Sequence, residues 1–178
     1  MKKVLLHICC GICASWPIEK LQKDGFEVTG YFYNPNIHPE AEYRRRLTVC
    51  EEVCRLLQVP LIAGEYESAA WSAKVSGFEQ EPEGGRRCEV CFRMRVVKTW
   101  EKAKTSGIES IATTLTISPH KDKTVINRIG IEECGEAFLV YDFKKQDGFK
   151  KANAFSREHD LYRQHYCGCV YSLPQAKG

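Results

Sequence analysis

The sequence lacks the long apolar run that a membrane-spanning helix requires. Its hydrophobic stretches stop well short of the ~20 residues that cross a bilayer. The N-terminus begins with two lysines and an apolar stretch, but that stretch is too short for a signal peptide and no small-residue cleavage site follows it. We therefore expect a cytoplasmic protein with no membrane partner.

The chain also lacks the composition of a disordered or strongly basic protein. Its 178 residues are 43% hydrophobic and 28% charged, which is typical of a soluble globular protein. No repeat, linker or low-complexity segment divides the chain, so residues 1–178 are predicted to form a single domain. The net charge of +3 is too small to predict nucleic-acid binding by itself.

Cysteine is the residue that the chain has in unusual number. Ten cysteines in a chain without an export signal should remain reduced. Cys134 stands alone, and the others are grouped. The groups are Cys9-Cys10-x-x-Cys13, Cys50-x-x-x-Cys54, Cys88-x-x-Cys91 and Cys167-x-Cys169. Grouped thiols in a reducing compartment indicate metal binding or redox catalysis.

Short apolar segments alternate with helical patterns along the chain. Strands are predicted at 4–8, 28–33, 60–63, 108–115 and 138–141, and helices at 17–23, 40–58, 88–104, 121–134 and 155–166. Loops are expected at 79–87 and 142–153. This alternation predicts an α/β fold, an open parallel sheet with helices on both faces. Functional sites of such sheets lie beyond the carboxyl ends of the strands, where 9–13 and 114–120 would converge if the first and fourth strands are neighbours.

Two cysteine pairs are the predicted ligands of a metal centre. At a strand end the chain turns, so the adjacent Cys9 and Cys10 sulfurs can face one centre. Cys88 and Cys91 open a helix, where the helix dipole and nearby arginines should lower the thiol pKa values. These arginines are Arg86, Arg87 and Arg93. Four thiolates suit a [4Fe–4S] cluster or a four-cysteine zinc site, and the adjacent pair favours the cluster.

The other grouped thiols each allow more than one interpretation. Cys13 completes a CxxC with Cys10, a spacing typical of redox dithiols, or it is a small buried residue at a helix start. Cys167 and Cys169 flank a glycine that permits a tight turn, so they form a redox dithiol or a ligand pair for a further metal, with a purely structural role as the alternative. The remaining cysteines are interpreted as core residues. They are Cys50, Cys54 and Cys134.

Two histidines lie next to the predicted site. His7 precedes the cysteine pair and is interpreted as a hydrogen-bonded core residue, with ligation as the alternative. His120 and Lys121 follow Ser118-Pro119 at the expected functional edge, where they would hold an anion such as a phosphate or form an ordinary loop.

Basic and aromatic residues are interleaved near the C-terminus. Residues 143–165 hold six Lys or Arg against three acids, together with four aromatic residues and two histidines. Segment 44–46 and the pair Arg86 and Arg87 add further basic spots. This mixture suits phosphate contact and base stacking, although a solvated basic face is the alternative.

Four motifs, taken in order, resemble one protein family. They are HICCGIC, the central CxxC, LTISPHKD and RQHYCGCVYS, and they extend from Leu6 to Ser172. Together they are similar to the epoxyqueuosine reductase family QueH. The resemblance implies a fold similar to that of adenine-nucleotide α-hydrolases. It also implies reduction of epoxyqueuosine to queuosine at the wobble position of tRNA anticodons, the last step of queuosine biosynthesis.

The resemblance also implies roles for individual residues. The [4Fe–4S] ligands would be Cys9, Cys10, Cys88 and Cys91, and the redox-active pair would be Cys167 and Cys169. A further iron ion beside the cluster is implied, with Cys13 and the CxC motif as candidate ligands. The reaction needs an electron donor that the sequence does not identify. The candidate proton donors are His120, His165 and Tyr166.

Other functions compete with this interpretation. An ATP-dependent tRNA sulfur-transfer enzyme of the same kind of fold would need a glycine-rich loop such as SGGxDS after the first strand, where this chain has HICCGICAS. A zinc-stabilised RNA-binding module would contain zinc without iron or sulfide. A thioredoxin-like reductase is disfavoured because the cysteines exceed what a simple dithiol needs.

Overall fold

The computed structural model of the protein describes residues 1–173. Strands and helices alternate along this part of the chain. The elements are β1 (Lys2–His7), α1 (Ser15–Lys23), β2 (Phe26–Phe32), α2 (Glu40–Leu56), β3 (Leu61–Ala63), α3 (Ser68–Val75), α4 (Arg86–Thr105), β4 (Ser110–Thr113), α5 (Lys123–Cys134) and α6 (Gly148–Glu158). Within the described residues, no helix is both long and apolar enough to cross a membrane.

The strands form one parallel sheet in the order β3-β2-β1-β4. β1 is central, since Val4 pairs with Val28 of β2 on one side and with Ser110 of β4 on the other. The condition on which residues 9–13 and 114–120 would converge, that the first and fourth strands are neighbours, is therefore met. Because parallel strands end at the same edge, the segments that follow β1 and β4 begin side by side.

The side chains of β1, with Ile8 directly after it, divide the core between the two faces of the sheet. Val4, Leu6 and Ile8 pack with residues of α1, α2 and α6, whereas Leu5 packs with residues of α4 and α5. These four side chains are fully buried, and each stabilises the fold by roughly 1.5–3 kcal/mol. The predicted α/β class, an open parallel sheet with helices on both faces, is thus confirmed.

The predicted fifth strand at 138–141 is wrong. In the described residues this segment makes an isolated parallel bridge, between Phe138 and Ile111, and Leu139 donates one backbone hydrogen bond to the Ile111 carbonyl. A 3-10 turn at Gly135–Ala137 leads directly into Phe138. The extended stretch is consequently too short to form a ladder.

The helical prediction for the C-terminal region is displaced. The predicted helix at 155–166 begins earlier in the structure, at Gly148, and ends at Glu158, so α6 occupies part of the predicted loop at 142–153. Asp160 follows with a left-handed φ of 50°, which stops the helix. The CxC motif therefore lies on an irregular segment and not at a helix end. Helix α3 was not predicted from the sequence.

Gly130 of α5 lies too close to Phe138 to tolerate a larger side chain. A Cβ atom at position 130 would lie 2.4 Å from the Phe138 ring. Gly130→Ala should lower the free energy of unfolding by about 1–3 kcal/mol, because the helix or the ring must shift, and urea denaturation measures this loss. In a Phe138→Ala background the same change should cost almost nothing. An equal cost in both backgrounds would contradict this explanation.

Candidate metal and redox site

Three cysteine sulfurs converge where β1 leads into α1. The Sγ atoms of Cys9, Cys10 and Cys13 all lie within 4.8 Å of one another, and the first two are 4.0 Å apart. Gly11 lets this turn lie against α2, since a Cβ there would be 2.6 Å from Val49 Cγ1. The adjacent pair therefore faces a common centre, and Cys13 joins it there.

A cavity of about 410 Å³ opens next to this triad, at the carboxyl edge of the sheet. A smaller cavity of about 40 Å³ is lined by Cys88, Cys91, Cys167 and Cys169. The side chains that border both cavities are Glu83, Arg95, His120, Lys121 and Cys167. The structure thus brings the two predicted cysteine pairs, Cys13, the CxC motif and His120 to adjoining cavities with a shared wall.

Two basic side chains lie between the thiol groups. Arg95 is 3% exposed. Within residues 1–173, no ion pair joins Arg95 or Lys121 to a carboxylate. Burial lowers the pKa of the Arg95 guanidinium, but the thiolates of Cys91, Cys9 and Cys167 outweigh it and raise that pKa. The pKa of Lys121 is raised in the same way, against burial, by Cys167 and Cys9.

Arg95 was not recognised from the sequence, although a signal for it was present. It follows Cys91 by one helical turn on α4, so the two side chains share a helix face. A basic residue at this spacing from a CxxC motif is a candidate counter-charge for its thiolates.

Cys9 is surrounded by groups that favour its thiolate. Hydrogen bonds from the Cys10 and Cys13 thiols lower the pKa of Cys9 well below its usual range, and burial only partly opposes them. Lys121 adds a favourable charge, and the Thr114 hydroxyl donates to Cys9 Sγ at 3.2 Å. Thr114 begins the segment after β4, so the β1–β4 pairing supplies this donor directly.

Cys88 behaves differently from the prediction. Burial raises the pKa of its thiol, and the Gly84 N–H, 3.2 Å from Cys88 Sγ, lowers it only in part. The charge of Arg87 also lowers the pKa of Cys88 in part. Arg93 instead forms ion pairs with Glu132 and Glu133 of α5. The expectation that the helix start depresses this thiol pKa is therefore wrong.

Arg46 of α2 holds the CxC segment in place. Its guanidinium donates to the carbonyls of Cys167 and Tyr166, each at 2.9 Å, and to Glu42 at 2.8 Å. Gly168 has a φ of +123°, and a Cβ there would lie 2.9 Å from Arg46 Nη1. Arg46 is 2% exposed, so the alternative of a solvated basic face does not hold for this residue.

The two thiols of the CxC motif have different surroundings. Cys169 is buried against Trp71, whereas Cys167 is half-buried and borders both cavities. A hydrogen bond from Cys169 lowers the pKa of Cys167, as does the charge of Lys121, and the same hydrogen bond raises the pKa of Cys169. Cys167 is therefore the thiolate-forming member of the pair. The cysteines are all free thiols in the described residues.

His7 is a core residue, as its first interpretation held. Its Nδ1 lies 2.9 Å from Thr113 Oγ1, and its Nε2 lies 3.0 Å from the Tyr33 carbonyl. Burial, followed by the charge of Arg95, lowers the pKa of His7 to about 4. Both ring nitrogens are occupied, so neither is available to a metal.

The cysteines interpreted as core residues lie apart from the cavities. Cys50 and Cys54 lie on the buried face of α2, in the hydrophobic core. Cys134 is half-buried at the end of α5 and lines neither cavity.

The fold and the site define a class of protein: a parallel α/β protein with a thiol-lined cavity at the carboxyl edge of its sheet. A solved structure described as a predicted subunit of a tRNA methyltransferase from Methanocaldococcus jannaschii has the same fold. Its TM-score is 0.60 at 10% identity, and the match covers 93% of this chain and 94% of that one.

Sequence comparison then identifies the family. The family model for epoxyqueuosine reductase QueH matches residues 4–175. Relatives named epoxyqueuosine reductase QueH include those of Streptococcus pyogenes, 39% identical over 95% of this chain and 69% of the relative, and Thermotoga maritima, 36% identical over 97% and 91%. The relative of Haemophilus influenzae is 37% identical over 96% and 71%. The chain belongs to the epoxyqueuosine reductase QueH family.

Removing the Arg46 charge should destabilise the protein and release the CxC segment. Arg46→Met leaves the Glu42 carboxylate, at 12% side-chain exposure, without its cation and with the Tyr162 hydroxyl as its remaining partner, a loss of about 3–5 kcal/mol in the free energy of unfolding. Urea denaturation measures the stability. A faster alkylation of Cys167 would show that the CxC segment has been released. Arg44→Met is the matched control, because Arg44 makes the same i,i+4 pair with Glu40 at 73% side-chain exposure. Similar losses in both variants would refute the buried clamp.

Proposed function

We propose that this chain is an iron–sulfur oxidoreductase that reduces epoxyqueuosine to queuosine at the wobble position of tRNA. One observation carries the proposal: a member of the QueH family places its grouped thiols around adjoining cavities at the functional edge of the sheet. The volume of about 410 Å³ lies within the range of small-ligand pockets. It suits one modified base that has been flipped out of the anticodon loop.

Cys9, Cys10, Cys88 and Cys91 would hold a [4Fe–4S] cluster. Arg95 supports this assignment, because its charge acts on both cysteine pairs and it has no carboxylate partner in residues 1–173. Buried cations normally require a nearby anion, and a cluster with its thiolates provides negative charge. Cys13 and the CxC motif remain the candidate ligands of a further iron ion.

Buried donors around the smaller cavity also suit such a group. Three N–H groups lack a hydrogen-bond partner within residues 1–173, and their side chains all line this cavity. They are Trp71 Nε1, Arg87 Nε and Arg95 Nε. Unpaired buried donors are costly, and thiolate or sulfide acceptors would satisfy them. When bound, the cluster would supply one-electron transfer, and the further iron would supply Lewis acidity.

The CxC motif would supply the reducing equivalents of each turnover. Cys167 and Cys169 together release two electrons and two protons as their S–S bond forms. The epoxide accepts them, both C–O bonds to its oxygen break, the alkene forms and the oxygen leaves as water. An external dithiol or one-electron donor would then reduce the disulfide again. The lowered pKa of Cys167 and its place on both cavity walls suit this role.

His120 is the favoured proton donor among the three candidates. Its side chain is exposed and borders both cavities. The Tyr166 hydroxyl donates to the His38 carbonyl and is therefore engaged, and burial raises its pKa. His165 borders the larger cavity alone. His120 would relay one of the two protons released by the dithiol to the departing oxygen.

A zinc-binding module is the second candidate, and the triad geometry favours it. The 4.0 Å between the Cys9 and Cys10 sulfurs is near the roughly 3.8 Å expected for two thiolates on one tetrahedral ion with 2.3 Å bonds. Metal analysis distinguishes the two candidates. Iron with inorganic sulfide supports the reductase, and zinc alone would refute it.

Cys88→Ser should remove iron and sulfide from the purified protein and abolish turnover, because one of four thiolate ligands is lost. Iron and sulfide assays and the visible absorption of the anaerobically prepared protein measure the loss. Cys134→Ala is the matched control, since Cys134 is another half-buried cysteine and borders neither cavity. A colourless Cys88→Ser protein with full activity would exclude the cluster.

Cys169→Ser should retain the iron and sulfide but lower multiple turnover by at least about 100-fold, because the S–S bond can no longer form. Steady-state conversion of epoxyqueuosine-containing tRNA measures the loss, and metal analysis of the same sample checks the site. Unchanged multiple turnover would remove the CxC motif from the mechanism.

A further inference from the structure

Phe149 is an exposed aromatic side chain at the mouth of the larger cavity. It lies in the first turn of α6 and is 39% exposed. Among the large hydrophobic side chains that are exposed in residues 1–173, it is the one that lines this cavity, together with the cysteine triad. An exposed aromatic ring beside a ligand cavity indicates a contact surface.

The structure holds the backbone of Phe149 firmly. Gly148 precedes it in such close packing that a Cβ would lie 1.8 Å from the Phe143 carbonyl oxygen. Asn153, one turn later and 9% exposed, donates to the Phe149 carbonyl at 3.0 Å and accepts from Arg163 at 2.5 Å. Phe149, Asn153 and Arg163 all line the cavity, so they form one preorganised patch at its mouth.

The surface around this patch is positively charged. Arg163, Lys150 and Lys151 are exposed, and no carboxylate pairs with them among the ion pairs of the described residues. The guanidinium of Arg45, in α2, lies 3.6 Å from the centre of the Tyr162 ring, and Tyr162 precedes Arg163 in the sequence. Positive charge interleaved with aromatic rings is complementary to single-stranded RNA.

This inference deepens the proposed function and rests on it. A base that enters the cavity leaves its stacked neighbours in the anticodon loop, and such enzymes stack side chains on the unstacked bases. We propose that Phe149 stacks on the nucleobase next to the flipped wobble base, and that Arg163 contacts the phosphate between these two nucleotides.

Binding of an anticodon stem–loop RNA to the full, metal-loaded protein tests the stacking contact. Phe149→Ala should weaken the affinity by about 5- to 150-fold, as expected for the loss of one base–aromatic stack, whereas Phe149→Trp should preserve it. Val140→Ala is the matched control, because Val140 is 58% exposed and does not border the cavity. Melting temperatures and iron content of all variants establish that the fold is intact.

A spectroscopic measurement separates stacking from general affinity. 2-Aminopurine placed next to the wobble position should be quenched when the wild-type or Phe149→Trp protein binds, and should stay bright in the saturated Phe149→Ala complex. For Arg163→Gln, the salt dependence of binding should fall by about 0.7 in the slope of log K against log salt, the value for one phosphate contact to a single strand. Arg157→Gln, an exposed change in α6 outside the cavity lining, is the control.

The outcomes distinguish this inference from the function on which it rests. A wild-type protein that does not bind the stem–loop would overturn the proposed function. A wild-type protein that binds it, with equal affinity and quenching in Phe149→Ala, would overturn the stacking contact alone. A Phe149→Ala protein with unchanged RNA binding but an altered oligomeric state would show that the ring covers a second copy of the chain.

Discussion

Positive charge buried among thiols is the constraint on which this site depends. Arg95 lies in the wall between the two cavities with no carboxylate partner in residues 1–173, and Lys121 shares that wall. A buried cation is stable only beside negative charge, and Cys9 and Cys167, which lie near Lys121, are the thiols of this site whose pKa values are lowered.

The parallel sheet brings the parts of this electrostatic unit together. Because β1 pairs with β4, the turn that carries Cys9 lies against Thr114, whose hydroxyl supports the thiolate. α4 runs past the same edge and contributes Cys91 and Arg95 from one helix face. Arg46, from the opposite layer, fixes the carbonyls of the CxC segment by a buried ion pair. These elements lie far apart in the sequence, and secondary structure or hydrogen bonds fix the backbone of each one.

Much of the fold followed from periodicity, since short apolar strands alternate with helices. The predictions of secondary structure were wrong where tertiary contacts override a local sequence pattern. The segment after Gly135 has the composition of a strand, but a preceding turn limits it to a single bridge at Phe138. α6 begins at Gly148, after two residues with left-handed φ values, Gln146 and Asp147, and no helix propensity signals this start. The CxC motif was placed at the end of a helix because the left-handed turn at Asp160, which ends α6 earlier, leaves no distinct pattern in the sequence.

The sequence by itself determined which residues could form the site and which fold class would hold them: grouped thiols, four motifs in family order, and an alternating α/β pattern. These properties reside in residue type and short spacing, so they can be read without coordinates. Only the tertiary structure decided that Cys13 joins the adjacent pair, that Arg95 and Lys121 lie between the thiol groups, that Arg46 is buried and that Phe149 stands at the cavity mouth. Burial and convergence depend on contacts between residues distant in the chain, and local sequence does not encode those contacts individually.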